Sequence, residues 1–383
     1  MRCAYVLPLV LVWVAGCVAE PEVAEKDEPR VRWQIMTIAG PGSVGTGKNA
    51  IAVDAQGVPH VAYRSGDSLH YARRTDGKWR TEEVVSGCFI GRNVVAPDIA
   101  LDATGRPVIT YGLRGLASYG GVCVARKNDK GRWVRETIAT KGNFGRFTAV
   151  DVAGDTVHAA YLDYKKQDDL HYAVRRNGTW RRAVVAFYPN AGFFCDLEVD
   201  AEGHPHIVYA TVEGGYEGID FTSDDYVADD LKYATWDGTR WTHDTIDTYG
   251  HVGYWPGLRI DVRGIPHVSY VAENEVKYAV NLKGSWTVRV ADSGKDIGKF
   301  SALALDRDTR PWIAYTRGRK LKLAHWTGSA WEHELVDVAG DVGANCAMEI
   351  DTRDGIHIVY TDRTHKDLKY AYHAGAPQES REE

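Results

Sequence analysis

No run of lysine and arginine occurs anywhere in these 383 residues, and the formal net charge is −6 with the two signs interspersed. The chain therefore lacks the basic footprint with which proteins grip nucleic acid. Cysteine is sparse, six in all, and no CxxC or Cys/His spacing of the kind that closes on zinc is present. Beyond Ala19 no stretch is apolar enough to span a bilayer. The period of a helical solenoid is missing too. These gaps remove nucleic-acid binding, a zinc site and an integral membrane span from the expected functions.

What is present begins with an export signal. One arginine precedes the apolar segment Ala4 to Ala15, which is too short to cross a membrane and has the form of a signal-peptide core. The segment ends in Val14-Ala15-Gly16-Cys17, which resembles the bacterial lipobox. That resemblance implies that Cys17 carries lipid and becomes the mature N-terminus, leaving the protein membrane-anchored on the periplasmic or cell-surface side. Ordinary cleavage near Ala19 is the other reading of the same residues. After a signal peptide over 1–17, residues 18–29 are acidic, flanked by proline and nearly free of apolar side chains, which predicts a disordered tether. One domain is expected over 30–373, with a disordered tail over 374–383.

Within that domain one pattern is written seven times. Its fullest copy is DAQGVPHVAY (Asp54 to Tyr63), then LHYA (Leu69 to Ala72), then DGKW (Asp76 to Trp79) and an alternating run to Val85. The other copies are anchored at Asp102, Asp151, Asp200, Asp261, Asp306 and Asp351, roughly 45 to 60 residues apart. Apolar residues alternate with period two, and turn residues interrupt them at fixed offsets, so each copy predicts four short strands. In the first copy these are A (Ala50 to Asp54), B (Pro59 to Tyr63), C (Leu69 to Arg73) and D (Trp79 to Val85), with D-x-x-G turning A into B and Asp76-Gly77 turning C into D. A tryptophan opens strand D in six copies, at Trp79, Trp133, Trp180, Trp241, Trp286 and Trp331. The seventh copy stops at Tyr370-Ala371, and its missing strand is found at the other end, where Arg32 to Ile38 repeats the strand D pattern of Arg132 to Ile138. The predicted fold is an all-β, seven-bladed β-propeller whose ring is closed by residues 31–38 completing blade seven.

With these repeats the chain resembles bacterial seven-bladed propellers of the sialidase/BNR-repeat superfamily. The DG-x-W hairpins echo that superfamily's Asp-box, S-x-D-x-G-x-x-W, which is nowhere complete here. The resemblance implies the fold; hydrolases, lyases, lectins and scaffolds all share it.

Residues found in every blade serve what every blade needs. Tyr63, Tyr111, Tyr161, Tyr209, Tyr270, Tyr315 and Tyr360 share one strand B position and are expected between blades. His60, His158, His206, His267 and His357 stand three residues before the tyrosine, with Val108 and Trp312 in the other two blades. Imidazoles spread one per blade cannot converge on an ion at about 2 Å, so they are read as hydrogen-bonded core residues. A binding site belongs where the blades differ, on the D-to-A and B-to-C loop face at the mouth of the central channel. Its candidates are Arg92, Asn93, Phe144, Arg146, Tyr188, His251, Tyr254, Trp255 and Lys299. Rings stack on sugars and guanidinium groups grip carboxylates, which points to a glycan, or to a protein of the envelope, bound by a monomer.

Catalysis stays open. A lyase acting on acidic polysaccharide would use His251 or Tyr254 to remove a proton beside a carboxylate neutralised by Arg92 or Arg146. A hydrolase would need two carboxylates about 5 to 9 Å apart, and Asp196 and Glu198 fit that poorly, pointing the same way from adjacent levels of one strand. A purely structural envelope scaffold is the third reading. The long loop Ala210 to Asp230 carries acids and no Lys or Arg. It is read as a solvated lid, with Asp220, Asp224 and Asp225 the only calcium candidates. No other cofactor is expected. Cys88 and Cys123 are the cysteines closest in the fold, and export would permit a bridge between them.

Overall fold

The computed structural model describes residues 33–375 apart from 43, 46, 89–95, 115–119, 141–143, 164–168, 188–190, 213–228 and 249. They form seven four-stranded antiparallel sheets arranged as blades of a propeller. Blade one is β2 (Ala50–Val53), β3 (Pro59–Ser65), β4 (Ser68–Thr75) and β5 (Lys78–Val85), in that order from the channel outward. Strand β3 is buried almost throughout, whereas β5 exposes Arg80, Glu82 and Glu83. Charged side chains on the outer strand blunt an edge that would otherwise template aggregation.

Blade seven joins the two ends of the domain. It is built from β26 (Val342–Ile350), β27 (Ile356–Asp362), β28 (Asp367–His373) and β1 (Gln34–Ala39), with Met36 opposite Tyr370. A polar clasp secures the junction. Asn49, fully buried, donates to Asn345 O at 3.0 Å; Asn345 Nδ2 donates to Gly45 O at 3.0 Å; and Thr361 Oγ1 donates to the same oxygen at 2.7 Å.

The apolar side chains fall into seven buried clusters among the described residues, six of them each shared by two neighbouring blades and one running from blade three through blade four into blade five. The seven strand B tyrosines, with Tyr370, are the largest of the fully buried side chains, none more than 2% exposed. In blades five to seven their hydroxyls donate to an aspartate ending the preceding blade: Tyr270 to Asp247 (2.7 Å), Tyr315 to Asp292 (2.5 Å) and Tyr360 to Asp337 (2.6 Å).

The five histidines are buried core residues, each hydrogen-bonded through Nδ1, while His267 Nε2 is left without a hydrogen bond among the described residues, 3.6 Å from Asp261. Nδ1 meets a strand C tyrosine hydroxyl in every case, at 2.6 to 2.7 Å for His60, His158, His267 and His357, and likewise for His206. The other nitrogen faces the turn aspartate in blades one, four and seven, at 3.3, 3.2 and 3.1 Å. Burial lowers the pKa of His60 and of His158 to about 4, which keeps these rings neutral. Trp312 replaces the histidine in blade six by donating its indole N–H to Asp306 at 3.2 Å.

One repeat anchor plays a different part from the one expected. Six of the seven aspartates cap their turn with the side chain, as Asp54 does for Gln56 N and Val58 N. Asp151 lies inside β10 (Phe144–Ala153), opposite His158, because blade three turns through the two residues Gly154-Asp155 instead.

Candidate functional site

An innermost strand has a sheet neighbour on one side only, so its inward backbone groups need partners from elsewhere. Carboxylates supply them across the blade boundaries. Asp98 accepts from Val150 N (2.8 Å), Asp151 from Val199 N (2.8 Å), Asp196 from Leu258 N (2.9 Å) and Glu198 from Ile260 N (2.6 Å). Arg259, in β18 (Val252–Ile260), reaches Glu198 at 3.2 Å and also pairs with Glu349 of blade seven. With Lys48 these side chains line a channel space of about 250 Å³, five carboxylates against two cations. Burial pushes Glu198 up to about 8 and Glu349 up to about 7, in both cases against the pull of Arg259. Asp98 rises to about 6 by burial, with Lys48 opposing and Asp196 adding to the shift. Burial works against the Lys48 charge, yet Asp196 and Asp98 outweigh it and hold the ammonium above its ordinary value.

At the loop end of this channel the inner strands carry aromatic rings. Phe147, Phe194, Trp255 and Phe300 come from blades three to six and meet at centroid distances of 4.8 Å (Phe147–Phe194), 4.9 Å (Phe194–Trp255) and 5.1 Å (Trp255–Phe300, stacked). Phe194 and Trp255 hold left-handed backbone, φ 51° and 41°, each two residues after a glycine at which the strand begins to bulge. Bulky side chains rarely adopt that conformation. Here it turns both rings inward as a plug.

Beside the plug, on the loop face between blades six and seven, lies a cleft of about 490 Å³. Its first wall is the start of β22 (Ile297–Leu305), with Asp296, Lys299 and Phe300. The turn between β23 (Pro311–Arg317) and β24 (Lys320–Trp326) adds Arg319, and Thr316 lies just before it. Blade seven contributes Asp341 and Arg363. Lys299 Nζ stands 5.1 Å above the centroid of the Tyr254 ring, a cation–π contact that fixes the ammonium at the cleft. Arg319 Nε is 3.8 Å from Asp341, and Arg363 N donates to Asp341 O at 2.8 Å. The cleft thus joins one ring face, hydroxyl and carboxylate acceptors, and three cationic donors.

Of the residues expected at the mouth, Lys299 lines this cleft. Tyr254 and Trp255 support it from below: they are 6% and 8% exposed and pack into the plug, so they are not free loop aromatics. His251 is exposed on its own loop and lines neither space. Phe144 and Arg146 open β10, but their side chains lie outside the described residues, as do Arg92, Asn93, Tyr188, Cys17 and the acidic residues Asp220, Asp224 and Asp225. Among the described residues no group of three or more His, Cys, Asp or Glu side chains is placed to hold a metal ion. Cys88 and Cys123 share a buried cluster as separate thiols, donating instead to Val85 O at 3.6 Å and Thr137 Oγ1 at 3.9 Å.

Apart from Lys299, the cleft residues escaped the reading of the sequence, among them Asp296, Asp341, Arg319, Arg363 and Phe300. Arg319 and Arg363 sit in short B-to-C connections, where only the long blade-four loop had drawn notice. Phe300 occupies the same strand position as Phe194 and Trp255, counted from Gly298, Gly192 and Gly253, a pattern that a comparison of the blades at that offset would have revealed.

No family model matches this sequence, and no curated protein sequence matches it. Among solved structures it is similar to an ulvan lyase, described as a new family of polysaccharide lyase, bound to a GlcA(1-4)Rha3S unit. That match has a TM-score of 0.59 and 12% identity, over 86% of this chain and 95% of that one. A fucose-specific lectin from Aleuria aurantia matches with a TM-score of 0.50 and 15% identity, over 76% of this chain and 95% of the lectin. A protein of unknown function from Dyadobacter fermentans matches with a TM-score of 0.53 and 10% identity, over 91% and 100%. At these identities the likeness is one of fold.

Proposed function

We propose that this chain is an exported, lipid-anchored envelope protein that binds a saccharide in the loop-face cleft between blades six and seven. The carrying observation is the cleft itself, where the Phe300 ring, the Lys299 ammonium, Arg319 and the Asp296 and Asp341 carboxylates converge on one space. A pyranose offers an apolar face to a ring and hydroxyls to flanking charges, and sugar sites combine those two features. The structural neighbours include a sugar-binding lectin and a polysaccharide lyase, which supports a saccharide over an unrelated small molecule. The address rests on residues 1–29, with Cys17 as the lipid-bearing position.

A glycan array tests this reading. It is probed with the chain from Asp27 to Glu383 and with a Lys299→Ala/Phe300→Ala variant whose melting curve confirms folding. Selective binding lost in the variant supports the cleft. Binding that survives in the variant places the site elsewhere, and no binding at all turns the reading toward a protein partner. Bound saccharides are then incubated with the protein and followed for unsaturated product, the sign of a lyase.

A further inference from the structure

Resting on that reading, we infer that the cleft selects acidic saccharides, those bearing carboxylate or sulfate, through the guanidinium groups of Arg319 and Arg363. The first argument is one of availability: the partly buried arginines named next are paired, whereas Arg319 and Arg363 at the cleft, like the exposed Arg80 and Arg353 elsewhere, have no close carboxylate among the described residues. Arg317, two residues before Arg319, is held by Asp292 at 2.8 Å; Arg126 and Arg175 share Glu136 at 2.9 and 2.6 Å; and Arg259 is committed to Glu198 and Glu349. The two cleft guanidiniums are not committed in this way. The Arg319 side chain is 80% exposed, and its one carboxylate neighbour among the described residues stands at 3.8 Å, well beyond the roughly 2.7 to 2.9 Å of a charge-assisted hydrogen bond. Arg363 is exposed and has no ion pair among the described residues.

Geometry is the second argument. The Arg363 backbone N–H is tied to Asp341 O, which anchors this residue against the loop that carries Arg319's carboxylate neighbour. Arg319 and Arg363 both line one cleft, which Lys299 also lines. Planar forks match the two oxygens of a carboxylate or sulfate, where an ammonium acts as a point charge. Charge distribution is the third argument. The cleft carries three cations against two carboxylates, while the channel behind the plug carries five carboxylates against two cations. An anionic sugar is thus favoured at the cleft and repelled from the channel. Asp296 and Asp341 remain to accept hydrogen bonds from sugar hydroxyls.

Matched pairs of ligands test the inference with the same chain: oligogalacturonate against its methyl ester, and dextran sulfate against dextran, titrated calorimetrically. The acidic member of at least one pair is expected to bind at least tenfold tighter than its neutral partner, with affinity falling as salt is added. Arg319→Ala and Arg363→Ala should each cost about tenfold, the order of one lost charged hydrogen bond. Lys78→Ala, an exposed lysine on the opposite face, should cost nothing. The pair that responds tells carboxylate from sulfate. Equal binding within both pairs overturns the acidic class and leaves the cleft reading standing. Equal losses in the Lys78 and arginine variants overturn it as well, since binding would then follow bulk charge. Failure of every array saccharide, neutral or acidic, would overturn the saccharide reading itself.

Discussion

Arg319 occupies a position that turn chemistry would give to another residue. The connection from β23 to β24 is Gly318-Arg319, with φ 57° and 63°. Two-residue hairpins of this hand favour Asn or Gly at both central positions, because a side chain with a Cβ in left-handed backbone costs on the order of 1 kcal/mol. The same left-handed backbone recurs at other turns, as at Glu273, Lys283 and Lys366; at Arg319 it belongs to a residue that lines the cleft. Arg319→Asn, which tolerates the backbone better, should stabilise the fold by roughly 0.5 to 1 kcal/mol and weaken acidic-saccharide binding. Thermal melting and calorimetry on the same preparation check both halves. A lower melting temperature, or unchanged affinity, would count against this account.

The strands tell a simpler story. Blade one was legible nearly strand for strand, because period-two alternation and the Asp-Gly and D-x-x-G turns are local signals. The closure of blade seven by β1 was legible for the same reason, as a displaced copy of the strand D pattern. Deleting residues 30–38 should therefore unfold or aggregate the protein, since it removes all but the last residue of the outer strand of one blade and its hold on Tyr370. Circular dichroism melting of the deletion variant is the check, and an unchanged transition would sink the closure. What escaped was information that lives between blades. Asp151 matched the repeat by residue type, yet its carboxylate serves Val199 of the next blade. The channel carboxylates could not be recognised as partners for a neighbour's backbone from one strand alone. Tyr254 and Trp255 looked like exposed aromatics because a left-handed residue in a bulge, which turns a ring inward, leaves no mark in alternation.

At the scale of the ring, the channel acids form a girdle that stitches blade to blade and responds to pH. Glu198 and Glu349 titrate near 8 and 7 in the folded protein, against about 4.3 in an unfolded chain. The folded state thus binds more protons than the unfolded one between those values. The stability this contributes is complete below about pH 4 and is lost as pH rises through 7 and 8. Between about pH 7.5 and 8.5, above the unfolded-chain histidine value of about 6.5 up to which the lowered core histidines act in the opposite sense, the melting temperature should fall. In a Glu198→Gln/Glu349→Gln variant the slope should be shallower. Parallel slopes for the two proteins would place the proton uptake elsewhere.

Around this girdle the propeller divides its interior. An acidic channel lies behind an aromatic plug, and a mainly cationic cleft opens on the loop face beside it. The central claim is that the cleft holds the saccharide. Its most direct test is calorimetric titration of the best array ligand into the wild-type chain and into a folded Lys299→Ala/Phe300→Ala variant. The account predicts saturable binding at one site per chain, weakened at least tenfold in the variant. Equal affinity in the two proteins would contradict it.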